Sequence, residues 1–343
     1  MRKTTLQNLL LAACSVCLTL ALLELGVRIH RGEVLSWHTF AEPAVGYGMM
    51  GYHPRLGWVP RAGRFGSDWN SSTDSSGIRS NGASISSPGR PILAVGDSFT
   101  FGDEVEDSST WAAYLEKTLN RRVLNAGVGA YGIDQAVLRA ELLLSQYDPA
   151  VVILSFISDD INRTEFSYYP YGRGWKPYFE YQDGALRLRN VPVPQIPTPH
   201  RFRSLRRVLG YSLLADAIFD RVSPQWWKDL PVIRRMHRDG RSISVDLLVH
   251  LDSLTRGRNA QFIAIAFATN GQIGSNSKLP EIVERARARG VRVLDLSLEV
   301  LALTPSQQER LFMPGGHYSP VMNRSVAESI ATVVREIAPA AHP

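Results

Sequence analysis

The chain is almost without cysteine. Two occur in 343 residues, Cys14 and Cys17, and both lie in one apolar stretch near the amino terminus. The remainder has no disulfide to build on and no thiolate to offer a metal. A domain of this length can bury an adequate core without such staples, so the redox compartment stays open. Histidine, aspartate and glutamate do not gather at ligand spacing either, and the expectation is no metal and no other cofactor. No nucleic-acid motif is recognisable, so nucleic acid is not an expected partner despite a net charge of +6. Otherwise the composition is that of a globular protein, 20% charged and 44% hydrophobic, with an apolar excess at one end.

That excess is Leu6–Val27, where Glu24 is the only ionisable residue besides the cysteines. Its length suffices to span a bilayer, which takes ~20 apolar residues. Arg2 and Lys3 precede it and keep the amino terminus cytoplasmic by the positive-inside rule, against Arg28 and Arg31 just beyond. A cleaved signal peptide is the rival reading, but no small-x-small cleavage site follows. Leu11-Ala12-Ala13-Cys14 is similar to a bacterial lipoprotein box, yet the sequence stays apolar after Cys14. The expectation is an uncleaved anchor over 1–31, single-pass in the inner (cytoplasmic) membrane. The rest of the chain then faces the periplasm or cell exterior.

One short motif is chemically suggestive: Gly96-Asp97-Ser98-Phe99-Thr100-Phe101-Gly102. It follows Pro91-Ile92-Leu93-Ala94-Val95, which reads as a short buried strand. A serine between glycines at the exit of such a strand is held at the sheet edge. The turn after it offers free backbone N–H groups to a developing anion. A base is then needed, and His317 stands in Gly315-Gly316-His317-Tyr318-Ser319-Pro320. Taken alone, Gly-Asp-Ser is also an ordinary turn sequence.

Residues 32–90 read as an approach segment packing on the core, with Gly77-Ile78-Arg79-Ser80 beside the serine turn; a flexible spacer is the alternative for 66–89. From 91 to 338 strands and helices alternate. Trp111, Leu115 and Leu119 recur at helical spacing, with Ser109 available as a cap. Further stripes are Ile133–Ala136–Val137–Ala140–Leu144, Ile243–Leu247–Leu251–Leu254 and Val326–Ile330–Val333–Ile337. Ser319 caps the last of these, with Pro320 at its first position. Residues 151–156, 261–267 and 291–296 read as strands. The pattern predicts an α/β fold, a three-layer α/β/α sandwich with a central parallel sheet, preceded by one transmembrane helix. Sites in such sheets form at the carboxyl ends of strands, where Ser98, Ala130 and Asp159 all fall.

Residues 157–240 interrupt the alternation. Fourteen lysines and arginines against nine acidic residues give this stretch a net charge of +5. Phe179–Leu188 reads as a hairpin turning at Asp183-Gly184. Phe202, Leu205, Leu209 and Leu213 mark a helix face, preceded by Arg201, Arg203, Arg206 and Arg207. Cations at a helix start oppose its dipole, which suggests an acidic partner, a lipid headgroup or an acidic glycan. A merely solvated face is the plainer reading. Trp226-Trp227 suits sugar stacking, a membrane interface, or simple packing.

The serine turn is one of several features in a fixed order. Asn125-Ala126-Gly127-Val128-Gly129-Ala130-Tyr131-Gly132 follows Arg122-Val123-Leu124; Ser158-Asp159-Asp160 follows the run 151–156; His317 precedes the last helix. This arrangement resembles the SGNH (GDSL-type) hydrolases, mostly esterases and deacetylases, over 91–156 and 241–338. The resemblance implies Ser98 as nucleophile and His317 as base. It implies an oxyanion hole of the Ser98 N–H, a glycine N–H and an asparagine side chain. Here the glycine falls nearest Ala130, with Gly129 adjacent, and alanine serves if its φ is negative. The asparagine position holds Asp159, which donates only if burial or Asp160 keeps it protonated. The family's aspartate before the histidine is replaced by Pro314 and Gly315. A backbone carbonyl, or a carboxylate from elsewhere such as Asp295 or Asp160, would then orient His317.

The function these residues imply is a serine esterase or deacetylase acting on an acylated small molecule or a cell-envelope glycan or lipid. A polysaccharide O-acyltransferase shares the acyl-serine step and stays open. So does a non-catalytic glycan-binding protein, which the absent aspartate and asparagine would suit.

Overall fold

A computed structural model describes residues 2–32, 34, 49–66, 70–82, 85, 89–169, 174–194, 202–227, 235–270, 278–301 and 303–338. The chain divides into two compact units. One comprises Met1–Val45 and Ile196–Ile233, the other Gly46–Gln195 and Arg234–Pro343. Residues 157–240, expected as one insertion, are thus shared between the units. The principal helices of the units are, in chain order, α1 (Arg2–Arg31), α2 (Ser98–Phe101), α3 (Trp111–Leu119), α4 (Ile133–Tyr147), α5 (Ser158–Arg163), α6 (Arg203–Leu209), α7 (Leu213–Val222), α8 (Pro224–Trp227), α9 (Gly240–Arg256), α10 (Leu279–Ala288) and α11 (Pro320–Ile337), with two further five-residue helices, Ser297–Leu301 and Pro305–Glu309, before the last.

The larger unit is an α/β sandwich. Strands β1 (Ile92–Val95), β2 (Val123–Asn125), β3 (Val151–Phe156), β4 (Gln261–Ala266) and β5 (Val293–Asp295) form one parallel sheet in the order β2-β1-β3-β4-β5. Leu93 pairs with Leu124 on one side and Val152 on the other. Alternate residues serve opposite faces. Leu93, Val95, Leu124, Val152 and Leu154 pack with α4, α9 and α10. Ile92, Ala94, Val123, Ile153 and Ile263 pack with α3 and α11. Because both faces are covered, the strands read as unbroken apolar runs rather than alternating ones.

The helical stripes expected from spacing face this core. Ile133, Ala136, Val137, Ala140 and Leu144 are all buried, as are Trp111, Leu115, Val326 and Ile330. Ser319 caps α11 and Pro320 opens it. The cap of α3 differs from expectation. Thr110, not Ser109, takes the N-cap position and accepts the Ala113 N–H, while Ser109 closes a preceding 3-10 turn.

Two further features position the site. The strand order reverses between β1 and β3, which opens a crevice at the carboxyl ends of those strands. The antiparallel pair Met50–His53 and Gly57–Pro60 packs Met50, Leu56 and Trp58 against Val128, Tyr131 and Leu138. Further on, Tyr178–Gln182 and Ala185–Arg189 form the hairpin that turns at Asp183 and Gly184. Both turn residues have positive φ, 52° and 75°, as a two-residue hairpin turn requires.

The smaller unit joins α1 to α6, α7 and α8. Within α1, Thr5–Arg31 has a mean hydropathy of 2.2 and none of its apolar window is buried. At ~1.5 Å per residue the helix is long enough to cross a bilayer. Trp227 is fully buried, stacks on Phe219 at 5.1 Å and donates its indole N–H to Asp216 at 2.7 Å.

Candidate active site

Ser98 opens α2 directly after β1. The turn between them has room only for glycine at position 96. A Cβ there would lie 2.3 Å from Thr100 Oγ1 and 2.6 Å from the Ser155 carbonyl, and its φ is +156°. Asp97 caps α2 by accepting the Phe99 N–H at 2.9 Å, and the Gly102 N–H closes the turn on Ser98 O at 2.8 Å. The Ser98 side chain is thereby held at the carboxyl edge of the sheet, 9% exposed.

His317 arrives from the loop before α11. The Gly316 N–H donates to Met313 O and the Met313 N–H to His317 O, at 2.9 and 2.7 Å, which makes the loop a compact turn. Tyr318 roots it in the core: its hydroxyl donates to Ala268 O at 2.9 Å and its ring packs edge-on against Phe99 and Phe267. The imidazole leans on Phe99 with centroids 5.2 Å apart. Its Nε2 lies 3.0 Å from Ser98 Oγ.

The other ring nitrogen meets a residue that sequence reasoning did not single out. His317 Nδ1 is 2.7 Å from Glu104 Oε2. The same carboxylate accepts the backbone N–H of Gly315 at 2.6 Å and of His317 at 3.1 Å. Glu104 sits six positions after Ser98 in a left-handed conformation, φ +69°, which costs a non-glycine residue ~1–3 kcal/mol. A Cβ on Gly315 would fall 2.6 Å from Glu104 Oε1. The glycine that left the expected acid position empty is therefore what admits the carboxylate. Burial acts to raise the Glu104 pKa, but the His317 ring and the two N–H donors outweigh it and hold the group below the ordinary carboxylate range.

Asp295 and Asp160 are engaged elsewhere. Asp295 Oδ1 accepts the Ser297 N–H and hydroxyl. Asp160 accepts the Ile157 N–H at 3.0 Å and pairs with Arg163, which also approaches Asp97 at 3.4 Å and donates to Tyr131 O at 3.0 Å. Two buried carboxylates share this one guanidinium. Burial, then the charge of Asp97, push the Asp160 pKa well up.

Of the oxyanion candidates, the Ser98, Gly129 and Ala130 N–H groups find no acceptor among the described residues. Trp58 Nε1 donates to Gly129 O at 3.1 Å and Tyr131 Oη to Trp58 O at 2.5 Å, which fixes this loop against the approach segment. Ala130 has φ +67°, not the negative value expected for an alanine serving here. Asp159, at the asparagine position, is exposed rather than buried. Among the described residues no three His, Cys, Asp or Glu side chains gather as a metal site.

The basic and aromatic candidates belong to the smaller unit. Arg206 is buried and donates to Trp226 O at 3.0 Å, so it is no surface cation. Trp227 is buried too, while Trp226 is half-buried against Phe219. Arg203 and Arg207 lie on α6; Arg201 lies outside the described residues.

No protein-family model matches the chain, and no curated protein is similar to it. Among solved structures, TesA is 13% identical over 72% of this chain and 99% of its own, with a TM-score of 0.44. A putative lipolytic protein of G-D-S-L family from Desulfitobacterium hafniense is 15% identical, covering 71% and 99%, at 0.40. An acetylxylan esterase from Geobacillus stearothermophilus, a catalytic mutant, is 14% identical, covering 74% and 97%, at 0.41. Similarity at these scores assigns nothing to this chain.

Proposed function

We propose that the chain is a membrane-anchored, extracytoplasmic serine esterase or deacetylase of SGNH type, acting on an acyl ester of a cell-envelope glycan or lipid. One observation carries the reading: a serine hydroxyl, an imidazole and a carboxylate in line, at 3.0 and 2.7 Å. Nucleophile and base within hydrogen-bond reach, with the base oriented by a third group, is the arrangement that activates a serine.

Ser98 Oγ attacks the ester carbonyl carbon and passes its proton to His317 Nε2. Glu104 holds the ring with Nδ1–H toward itself and stabilises the imidazolium. The oxyanion meets the free N–H groups of Ser98 and of Gly129 or Ala130, each contributing ~3 kcal/mol to the transition state. His317 returns the proton to the departing alcohol oxygen. Water, deprotonated by His317, then cleaves the acyl-serine to the acid and restores Ser98. With Glu104 in place, one of the two absences that suited a non-catalytic protein is gone.

The anchor reading has support in the smaller unit. Glu24, on α1, accepts the Ser212 hydroxyl at 2.7 Å and the N–H groups of Leu213 and Leu214 at 3.0 and 2.8 Å. Arg31 pairs with Asp216 at 2.8 Å. A signal peptide made to be discarded has no use for side chains that cap a helix of the mature protein.

A fluorophosphonate probe tests the active-site reading. It should label the wild type covalently, and Ser98→Ala should abolish labelling while the fold persists. His317→Ala should cost about as much, because triad members act as a unit. Equal labelling of wild type and Ser98→Ala would reject the assignment.

A further inference from the structure

In the smaller unit α6 and α7 carry a largely apolar outer surface. Phe202, Leu205, Val208, Tyr211, Ile218 and Val222 are 46% to 76% exposed. The whole larger unit exposes only six large apolar side chains among its described residues, scattered through the sequence. Meanwhile one polar side chain of each helix points inward. Arg206 and Asp216 are buried, bonded to Trp226 O and to the Trp227 indole. Apolar side chains outside, with buried polar groups bonded within, are what a structure shows when its surroundings are not water.

The same surroundings are required by α1, whose Leu20, Leu22, Leu23, Leu25 and Ile29 are all exposed. The two apolar surfaces are continuous through named contacts. Glu24 caps the start of α7, and Arg31 reaches Asp216. Arg28 donates to Tyr211 O at 2.8 Å. These contacts fall at the carboxyl-terminal end of α1, where an apolar helix leaves the hydrocarbon and meets headgroups.

We infer that α6 and α7 form an interfacial collar: they lie in the headgroup–acyl boundary beside the exit of α1, with Phe202, Leu205, Val208, Ile218 and Val222 in lipid. The occupant of this surface is a bilayer. The inference rests on the reading of α1 as a retained anchor and adds a second, non-spanning contact to it. Because that contact is apolar, it persists in high salt, unlike a contact made by arginines with anionic headgroups.

The test uses the full chain carrying Cys14→Ser and Cys17→Ser, reconstituted in vesicles of phosphatidylcholine and phosphatidylglycerol. Single cysteines are placed at Leu20, Val208, Val222 or Glu309 and labelled with an environment-sensitive fluorophore. Labels at Val208→Cys and Val222→Cys should be quenched by lipids bearing a shallow nitroxide and shielded from aqueous iodide, and remain so at about 1 M salt. The Glu309→Cys label, on the larger unit, should behave oppositely. If Leu20→Cys reports lipid while Val208→Cys and Val222→Cys respond to iodide as Glu309→Cys does, the collar is rejected and the anchor stands. If Leu20→Cys also reports water, or α1 is lost by cleavage, the anchor reading fails and the collar with it.

Discussion

Glu104 takes three hydrogen bonds from the loop that carries His317, two of them from backbone. One carboxylate thus fixes both the tautomer of the ring and the position of the loop. Glu104→Gln keeps the size but can present an N–H to Nδ1, which favours the wrong tautomer; turnover should fall about 10³- to 10⁴-fold. Asp295→Asn should leave turnover within a few-fold, since Asp295 is spent on Ser297. Comparable losses in the two variants would remove Glu104 from the relay. The pH dependence has a definite sign. The Glu104 pKa is depressed on folding, so its contribution to stability is complete above the ordinary carboxylate pKa. It is lost only as pH falls through the lower, folded value. Glu104→Gln should flatten that part of the acid limb in unfolding experiments. Ser98 and His317 were legible because each has a local signature, a glycine-bounded turn and a position before the last helix. Glu104 was not, because its partner lies 213 positions away and its own neighbourhood is an unremarkable turn. Gly315 was the available signal, a glycine where a side chain was expected.

At the scale of elements, the turn that carries Glu104 is held by Arg79. Its guanidinium donates to Phe101 O at 2.8 Å, Gly102 O at 2.5 Å and Val105 O at 2.6 Å, pairs with Asp107 at 3.0 Å and lies 4.7 Å over the Phe101 ring. The Arg79 N–H donates to Asn125 O at 2.8 Å, which ties the approach segment to β2. Arg79→Met leaves those carbonyls and Asp107 without their buried donor and should destabilise the larger unit by about 3 kcal/mol or more. Arg79→Lys should recover only part, because an ammonium cannot fork. Urea unfolding of both variants checks this, and an Arg79→Met midpoint equal to wild type would overturn it. The five strands and the order of chemistry along them were legible from apolar runs and helical spacing. The cap of α3 moved by one residue, to Thr110, because a 3-10 turn uses Ser109 first. Arg79 was anticipated only as part of a stretch near the serine; nothing local announces which carbonyls a buried guanidinium will gather.

Over the whole molecule, the sequence between 157 and 240 serves two units, and of its basic cluster Arg206 is not a surface cation. Spacing placed Phe202, Leu205, Leu209 and Leu213 on one helix face, but the chain ends α6 at Leu209 and Ser212 caps a second helix that Leu213 opens; nor could charge counting show that Arg206 turns inward or that Trp227 is buried. In the sequence Glu24 is only the one ionisable residue of an apolar span besides the cysteines; beyond Arg28 one turn on, its partners lie 188 to 190 positions away. Its capping role makes a prediction about the chain as a whole. Removing residues 1–31 takes from Ser212, Leu213 and Leu214 the carboxylate they share, and from Asp216 its Arg31 partner. The apolar outer faces of α6 and α7 then have neither anchor nor lipid beside them. In the shortened chain, amide hydrogens of residues 213–227 should lose most of their exchange protection and the stretch 202–227 should become the first site of proteolysis. Protection across β1, β3 and β4, and probe labelling at Ser98, should persist, because the sheet and the Ser98–His317–Glu104 array belong to the other unit. Undiminished protection at 213–227 would show that these helices fold without α1 and that Glu24 is not their cap in solution.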